Sequence, residues 1–431
     1  MGSSEIHKFY KKSREERIAL VKEFAELSDE EATLLGTNSV LSFETSDKMI
    51  ENVVGMQQLP LGIATNFLID GADCLIPMAV EEPSVVAAAS KVAGIARTAG
   101  GFTTESDEPI MIGQIALVGV EDFEKAKSTI IGKKAELLEK AKGIDPVLVK
   151  FGGGPRDIEV HERQAKSGKI VMVHLLVDVR DAMGANAVNT MVESIASDIE
   201  ELSGGKSRLR IISNLAVHRK ARAKAVFSKE AIEESFKGKD TGKTTEEIID
   251  AIIEVYEVAE ADQFRATTHN KGVMNGIDAV AIACGQDWRA IEAGAHSFAA
   301  FETKYRPLTK YYKDDAGNLV GEIELPLAVG LVGGAVKTNP LAGVCLKLLK
   351  VKTAQELAEK IAAVGLAQNF AAIREIATRG IQAGHMALHG KNIAVMAGAK
   401  PEEIEAVSAK MAEEKNIRVN RAKEILEEMR K

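Results

Sequence analysis

The stretch "IMIGQIALVGV" (110–120) is apolar, rich in Ile and Val, and too short for a buried helix, so it reads as a strand. The residues after it decide its partners. "EDFEKAKSTIIGKKAELLEKAK" (121–142) has the period of an amphipathic helix. "DPVLVKFGGGPRDIEV" (145–160) reads as a strand broken by glycines, and "GKIVMVHLLVDV" (168–179) as another strand. "DAMGANAVNTMVESIASDIEELS" (181–203) is a second helix and "SRLRIISNL" (207–215) a last strand. The order βαββαβ is that of a split-βαβ, ferredoxin-like unit. It occupies 109–217 and is expected to be a small domain inserted in a larger one.

Working outward, helical signals dominate. Ser13 with Glu16, Ser28 with Glu31, and Thr244 with Glu247 each spell a capping box. "EPSVVAAASKVAGIA" (82–96) predicts a closely packed helix begun through Pro83, and "TAQELAEKIAAVGLAQNFAAIREIA" (353–377) a long one. "GLVGGAVKTNP" (330–340) reads as a loop. The expected fold class is therefore α+β: a large, mostly helical domain from 1–108 and 218–377, the inserted small domain, and a helical C-terminal flap over 378–431.

A chain of 431 residues needs two or three domains, and its 45% hydrophobic and 27% charged residues are ordinary for a soluble globular protein. The net charge of −8 argues against nucleic acid as a partner. Cys74, Cys284 and Cys345 form no CxxC pair, which fits a reducing compartment. No run approaches the roughly 18 apolar residues of a membrane span, and the polar start lacks a signal peptide, so the expectation is a cytoplasmic protein without membrane attachment.

Nucleotide motifs of the common kinds are missing. No GxGxxG follows a strand, and "GLVGGAVKT" has Val336 before Lys337 where a P-loop needs glycine. "DAMGAN" (181–186) sits where a strand becomes a helix; it is either an anion site or a plain N-cap with close helix packing. His385 and His389 in "GHMALH" share the i, i+4 spacing of zinc ligands, but Met386 stands where a metalloprotease needs Glu. A proton donor is the competing reading, and surface histidines the plain one. "ATTHNKGVMNGID" (266–278) holds Lys271 between glycines, which suggests placement by backbone turns. It is a solvated surface lysine or a cation held where negative charge develops. Glu82 in "VEEPS" reads as half of a solvated acidic pair or as a catalytic acid, and Asp287 in "GQDW" as an N-cap or a working carboxylate.

Together these stretches resemble the class II 3-hydroxy-3-methylglutaryl-coenzyme A (HMG-CoA) reductases. The resemblance rests on "ENVVG" (51–55), "EEPSVVAAAS" (81–90), "GGFTT" (100–104), "GGGPRDIEV" (152–160), "DAMGAN", "THNKGVMNGID" (268–278), "GQDWRAIEAGAH" (285–296), "VGLAQN" (364–369) and "GHMALH" (384–389), in that order. It implies a four-electron reduction of HMG-CoA to mevalonate and coenzyme A, or the same enzyme run oxidatively in mevalonate breakdown. By that resemblance Lys271 holds the substrate oxyanion, Glu82 handles the proton, Asp287 orders both, and His385 protonates the departing thiolate. Ser84, Arg265, Thr268, Asn275 and Asn369 would hold the HMG group, and Lys8, Lys11 and Lys12 would meet coenzyme A phosphates.

The resemblance also places a nicotinamide cofactor on the small domain, against Asp181, Met183, Gly184, Asn186, Asn214 and His389. Asp145 falls where an acid would meet the adenosine ribose. It would favour NADH over NADPH by repelling a 2′-phosphate, unless it is only an Asp-Pro turn. No metal is expected. The family builds its sites across a homodimer interface, with Asp287 reaching the neighbouring subunit's site. Two other readings compete. An RNA-binding module is disfavoured because the strands at 110–120 and 169–179 carry no aromatic residue, and a metal hydrolase would need stoichiometric metal on His385 and His389.

Overall fold

In a computed structural model, residues 2–38, 40–238, 241–302, 304–378, 380, 390–414 and 416–430 are described. They contain ten strands: β1 (Leu61–Ile69), β2 (Ala72–Ala79), β3 (Phe102–Ser106), β4 (Ile110–Val118), β5 (Gly154–Ala165), β6 (Gly168–Asp178), β7 (Lys206–Ser213), β8 (Lys220–Phe227), β9 (Thr309–Lys313) and β10 (Leu319–Pro326). The described residues form a mixed α+β fold with two sheets.

Strands β4 to β7 form an antiparallel sheet in the order β5-β6-β4-β7. Alternation puts Ile115, Leu117, Ile158, Val160, Val173 and Leu175 on one face. There they bury the Ala185–Ser203 helix through Val188, Met191, Val192 and Ile195. The expected helix over 121–142 is two helices, Phe123–Gly132 and Lys134–Lys142, which break at Lys133. Residues 145–153 are not strand. Asp145 caps a short Pro146–Lys150 helix, because Pro at the first helical position and an Asp cap before it favour a turn of helix.

The rest of the chain is less helical than its composition suggests. It carries a six-stranded mixed sheet, β2-β1-β3-β8-β10-β9. The β1–β2 hairpin turns at Asp70 and Gly71, whose φ values of 49° and 74° are those of a two-residue I′ turn between Ile69 and Ala72. Val85–Arg97, Gln263–Ala283 and Ala354–Thr378 pack around this sheet in one continuous apolar core. The latter two helices cross closely. A Cβ on Gly276 would lie 2.8 Å from Gln368 Cβ, and one on Gly365 2.9 Å from Ile277. Glycine inside a helix costs about 1 kcal/mol, and here it permits the close crossing. Gly334–Thr338, expected as loop, is a short helix.

The C-terminal helices, residues 390–396, Ile404–Glu413 and Val419–Met429, share an apolar cluster of their own around Val407, Met411 and Ile425. Among the described residues, no helix is long and apolar enough to cross a membrane.

Candidate active site

Lys271 does not sit in a turn-placed loop. It lies on the Gln263–Ala283 helix, which Asp262 starts by accepting the Arg265 N–H at 2.9 Å. Arg265, Thr268, Lys271, Gly272 and Asn275 recur at helical spacing, so they form one polar stripe. That stripe is one wall of a cavity of about 450 Å³. The Val85–Arg97 helix and the turn before it supply a second wall, and Gln368, Ala371, Ala372 and Glu375 of Ala354–Thr378 a third.

Glu82, just past β2, meets the stripe. Its Oε2 lies 2.8 Å from Lys271 Nζ, and Oε1 is 3.5 Å from Asn275 Nδ2. Both partners are partly open to solvent, with side-chain exposures of 62% for Lys271 and 38% for Glu82. The pair therefore contributes little to stability. Ser84 follows with φ of 79°, a left-handed conformation that costs a non-glycine residue about 1–2 kcal/mol. Its Oγ is buried and, among the described residues, unpartnered. Gln368 Oε1, on the facing wall, is also buried without a partner among the described residues. Among the described residues the Arg265 guanidinium has no hydrogen-bond or ion-pair partner, and burial pulls its pKa down. A half-buried cation without a counter-charge beside two unsatisfied polar atoms suits an anionic, hydrogen-bonding ligand.

Two expected members are elsewhere. Asn369 points into the core. Its Oδ1 accepts from Thr309 Oγ1 at 3.1 Å and Tyr311 OH at 2.9 Å, and its Nδ2 donates to the His269 carbonyl at 3.1 Å. Its neighbour Gln368 takes the place by the cavity. Asp287 caps the Trp288–Ala299 helix by accepting the Ala290 N–H at 3.1 Å, and within one chain it does not line the cavity. Lys8, Lys11 and Lys12 lie on and beside a single 3₁₀ turn at Phe9–Lys11 and do not line it either. His385 and His389 lie outside the described residues.

The "DAMGAN" turn is held from several sides. Asp181 Oδ1 accepts the Ala354 N–H at 2.7 Å and its carbonyl accepts the Leu331 N–H at 2.8 Å. Arg219, buried and with its pKa lowered to about 10 by that burial, donates to the carbonyls of Ala182 and Met183 at 3.1 Å and to that of Val329 at 2.5 Å. No sequence signal marks this arginine, because its partners are backbone carbonyls from distant segments. Gly184, with φ of 109°, precedes the Ala185–Ser203 helix and leaves its first N–H groups without a side-chain cap. Asn186 lies in the first turn of that helix, and Asn214 just beyond β7, its carbonyl accepting the Ala216 N–H. An uncapped start of a 19-residue helix, with no side chain on Gly184, fits a dinucleotide phosphate. Asp145 spends one carboxylate oxygen on the Leu148 N–H at 2.9 Å.

A lysine ammonium held on a carboxylate, an unpaired arginine in the same cavity, and a firmly held helix start without a cap are the equipment of a dinucleotide-dependent carbonyl reductase. The particular family is given by comparison. The family model described as hydroxymethylglutaryl-coenzyme A reductase matches residues 13–390, so the chain belongs to that family. It is 55% identical over 428 residues to the 3-hydroxy-3-methylglutaryl-coenzyme A reductase of Archaeoglobus fulgidus, covering 99% of this chain and 95% of that one. A probable HMG-CoA reductase of Borreliella burgdorferi is 36% identical, over 89% of this chain and 85% of its own. The class II enzyme of Streptococcus pneumoniae bound to NADPH in open conformations superposes with a TM-score of 0.81 at 40% identity, covering 97% of this chain and 100% of that one.

Proposed function

We propose that the 450 Å³ cavity binds the HMG group and that the protein there reduces HMG-CoA to mevalonate, releasing coenzyme A. The observation that carries the assignment is the 2.8 Å Lys271–Glu82 pair beside unpaired Arg265. Arg265 takes the terminal carboxylate of HMG, while Ser84, Thr268 and Asn275 hold its hydroxyl and carbonyl oxygens. Lys271 stabilises the oxyanion that forms when hydride reaches the thioester carbonyl, and Glu82, its carboxyl protonated once substrate is bound, gives the proton that quenches that charge. A bound nicotinamide would supply the two hydrides. Between the two transfers the coenzyme A thiolate leaves, and His385 protonates it.

The dinucleotide is held by the turn 181–186, through Asp181, Met183, Gly184 and Asn186, together with Asn214. The unit 109–217 is the cofactor domain, 1–108 and 218–377 the substrate domain, and 378–431 the flap that brings His385 and His389. Asp287, which does not line the cavity of its own chain, completes the site of a partner subunit in a homodimer. Asp145 disfavours a 2′-phosphate, so NADH is the better cofactor, although the pneumococcal relative binds NADPH.

The test is cofactor oxidation with HMG-CoA against free-thiol release. Two cofactors oxidised per thiol freed are expected, faster with NADH. Asp145→Ser keeps a helix cap and removes the charge, so it should raise the NADPH rate relative to NADH. An unchanged ratio removes Asp145 from cofactor choice.

A further inference from the structure

Strands β5 and β6 pair so that Glu159 faces His174 directly and His161 faces Met172. Because side chains alternate, Glu159, His161 and His174 all emerge on the face of the four-stranded sheet opposite its helices. His161 Nε2 lies 3.1 Å from Glu159 Oε2, and the two imidazole rings are 4.8 Å apart between centroids, inclined at 60°. One potential ligand atom from each of the three residues lies within 4.8 Å of the others.

We propose that this triad binds a divalent transition metal of the zinc class, outside the reductase cavity and independently of it. Tetrahedral coordination at bonds of about 2.1 Å sets ligand atoms about 3.4 Å apart. The 3.1 Å pair already has that spacing, and side-chain rotation alone closes the rest. Two residues i, i+2 on one strand and a third across from them leave the fourth position open to water. Two imidazoles with one carboxylate favour zinc, cobalt or nickel over magnesium and calcium, which prefer all-oxygen sets. The groups are within reach of solvent, with His161 33% and Glu159 37% exposed. The Gln114 side-chain amide sits 2.9 Å from His174 Nε2 on the adjacent strand, where it either orients the ring or yields to the ion. Arg163, two residues beyond His161, and His218 also act on His174 electrostatically, and Glu159 opposes them. A bound ion would clamp β5 to β6, the strand that ends at the "DAMGAN" turn.

The test uses the full chain, stripped with chelator and titrated with Zn²⁺ in competition with a chromophoric chelator. Wild type is expected to bind one ion per chain. The His161→Asn/His174→Asn double variant should lose more affinity than the roughly 100-fold that removal of a supporting group costs. Glu159→Gln, nearly isosteric, guards against misfolding of the double variant and should also weaken binding. The His385→Asn/His389→Asn variant removes the other paired histidines and should bind as wild type does. Zn²⁺, but not Mg²⁺, should raise the unfolding temperature of wild type and leave that of the double variant unmoved. Retained stoichiometric binding in the double variant, loss in the 385/389 variant instead, or no binding by wild type at micromolar Zn²⁺ overturns the proposal.

Discussion

Lys271 Nζ and Glu82 Oε2 are 189 positions apart in the chain and 2.8 Å apart in space, one on a helix and the other in the turn after a strand. Lys271→Ala should lower kcat roughly 100- to 1,000-fold, the cost of losing one oxyanion partner. Stability should change by no more than about 0.5 kcal/mol, since the ammonium is mostly solvated. A kcat within tenfold of wild type would place the electrophile elsewhere.

Ser84 separates strain from binding. Ser84→Gly relieves the left-handed backbone and should stabilise the protein by up to about 1 kcal/mol while raising KM for HMG-CoA. Ser84→Ala keeps the strain and removes the hydroxyl, so KM should rise while any gain in stability comes only from losing a buried, unsatisfied oxygen. Denaturant midpoints and steady-state kinetics on the two variants decide the matter, and an unchanged KM in both removes the hydroxyl from substrate binding.

Gly330 presses on the cofactor turn. A Cβ there would come within 2.5 Å of Met183 N and 3.0 Å of the Ala182 carbonyl carbon. Both are backbone atoms that cannot swing aside, so Gly330→Ala should cost about 1–3 kcal/mol and displace the turn. The expected kinetic signature is a cofactor KM raised about tenfold or more with KM for HMG-CoA little changed. Equal rises in both would mean a general loss of structure.

His269 is buried on Thr309, with Nε2 2.6 Å from Oγ1, and burial holds its pKa at about 3. The unfolded chain takes up a proton near pH 6.5 that the folded chain refuses until about pH 3. This contribution is therefore full above pH 6.5 and is lost as pH falls, by about 1.4 kcal/mol per unit at its steepest. His269→Gln should flatten the acid side of a stability profile measured by urea unfolding. An unchanged slope would show that the ring titrates normally.

Asp278 works in the opposite sense. Burial, and then its hydrogen bond with Glu292, raise its pKa to about 8. The folded chain keeps a proton that the unfolded chain releases near pH 4, so this contribution is lost as pH rises toward 8. Asp278→Asn should gain stability relative to wild type between pH 5 and 8, as read from unfolding midpoints across ~pH 4–8. A constant difference over that range would contradict the shared proton.

The chain's local chemistry determined much of this molecule. Alternation and amphipathic period mark β4, β6, β7 and the Ala185–Ser203 helix, and the capping boxes at Ser13, Ser28 and Thr244 form as the residues dictate. The ordered motifs carried the family, because so many short matches in one order leave few alternatives. Other signals were present but outweighed. "IDGAD" spells the β1–β2 hairpin, and the polar stripe from Arg265 to Asn275 has helical spacing, yet glycines beside Lys271 suggested turns. Of those glycines, Gly276 instead permits the crossing with the Ala354–Thr378 helix, a demand that exists only once the two helices meet.

Tertiary structure alone decided which of two adjacent amides, Gln368 or Asn369, faces the cavity, since one residue of helix turns a side chain by about 100°. It decided that Asp287 caps the Trp288–Ala299 helix and does not line the cavity of its own chain. It decided, too, that Arg219 should hold the carbonyls of the cofactor turn and that Glu159, His161 and His174 should share a sheet face. Each of these depends on register or on contact between distant segments, and neither is a property of any local stretch of sequence.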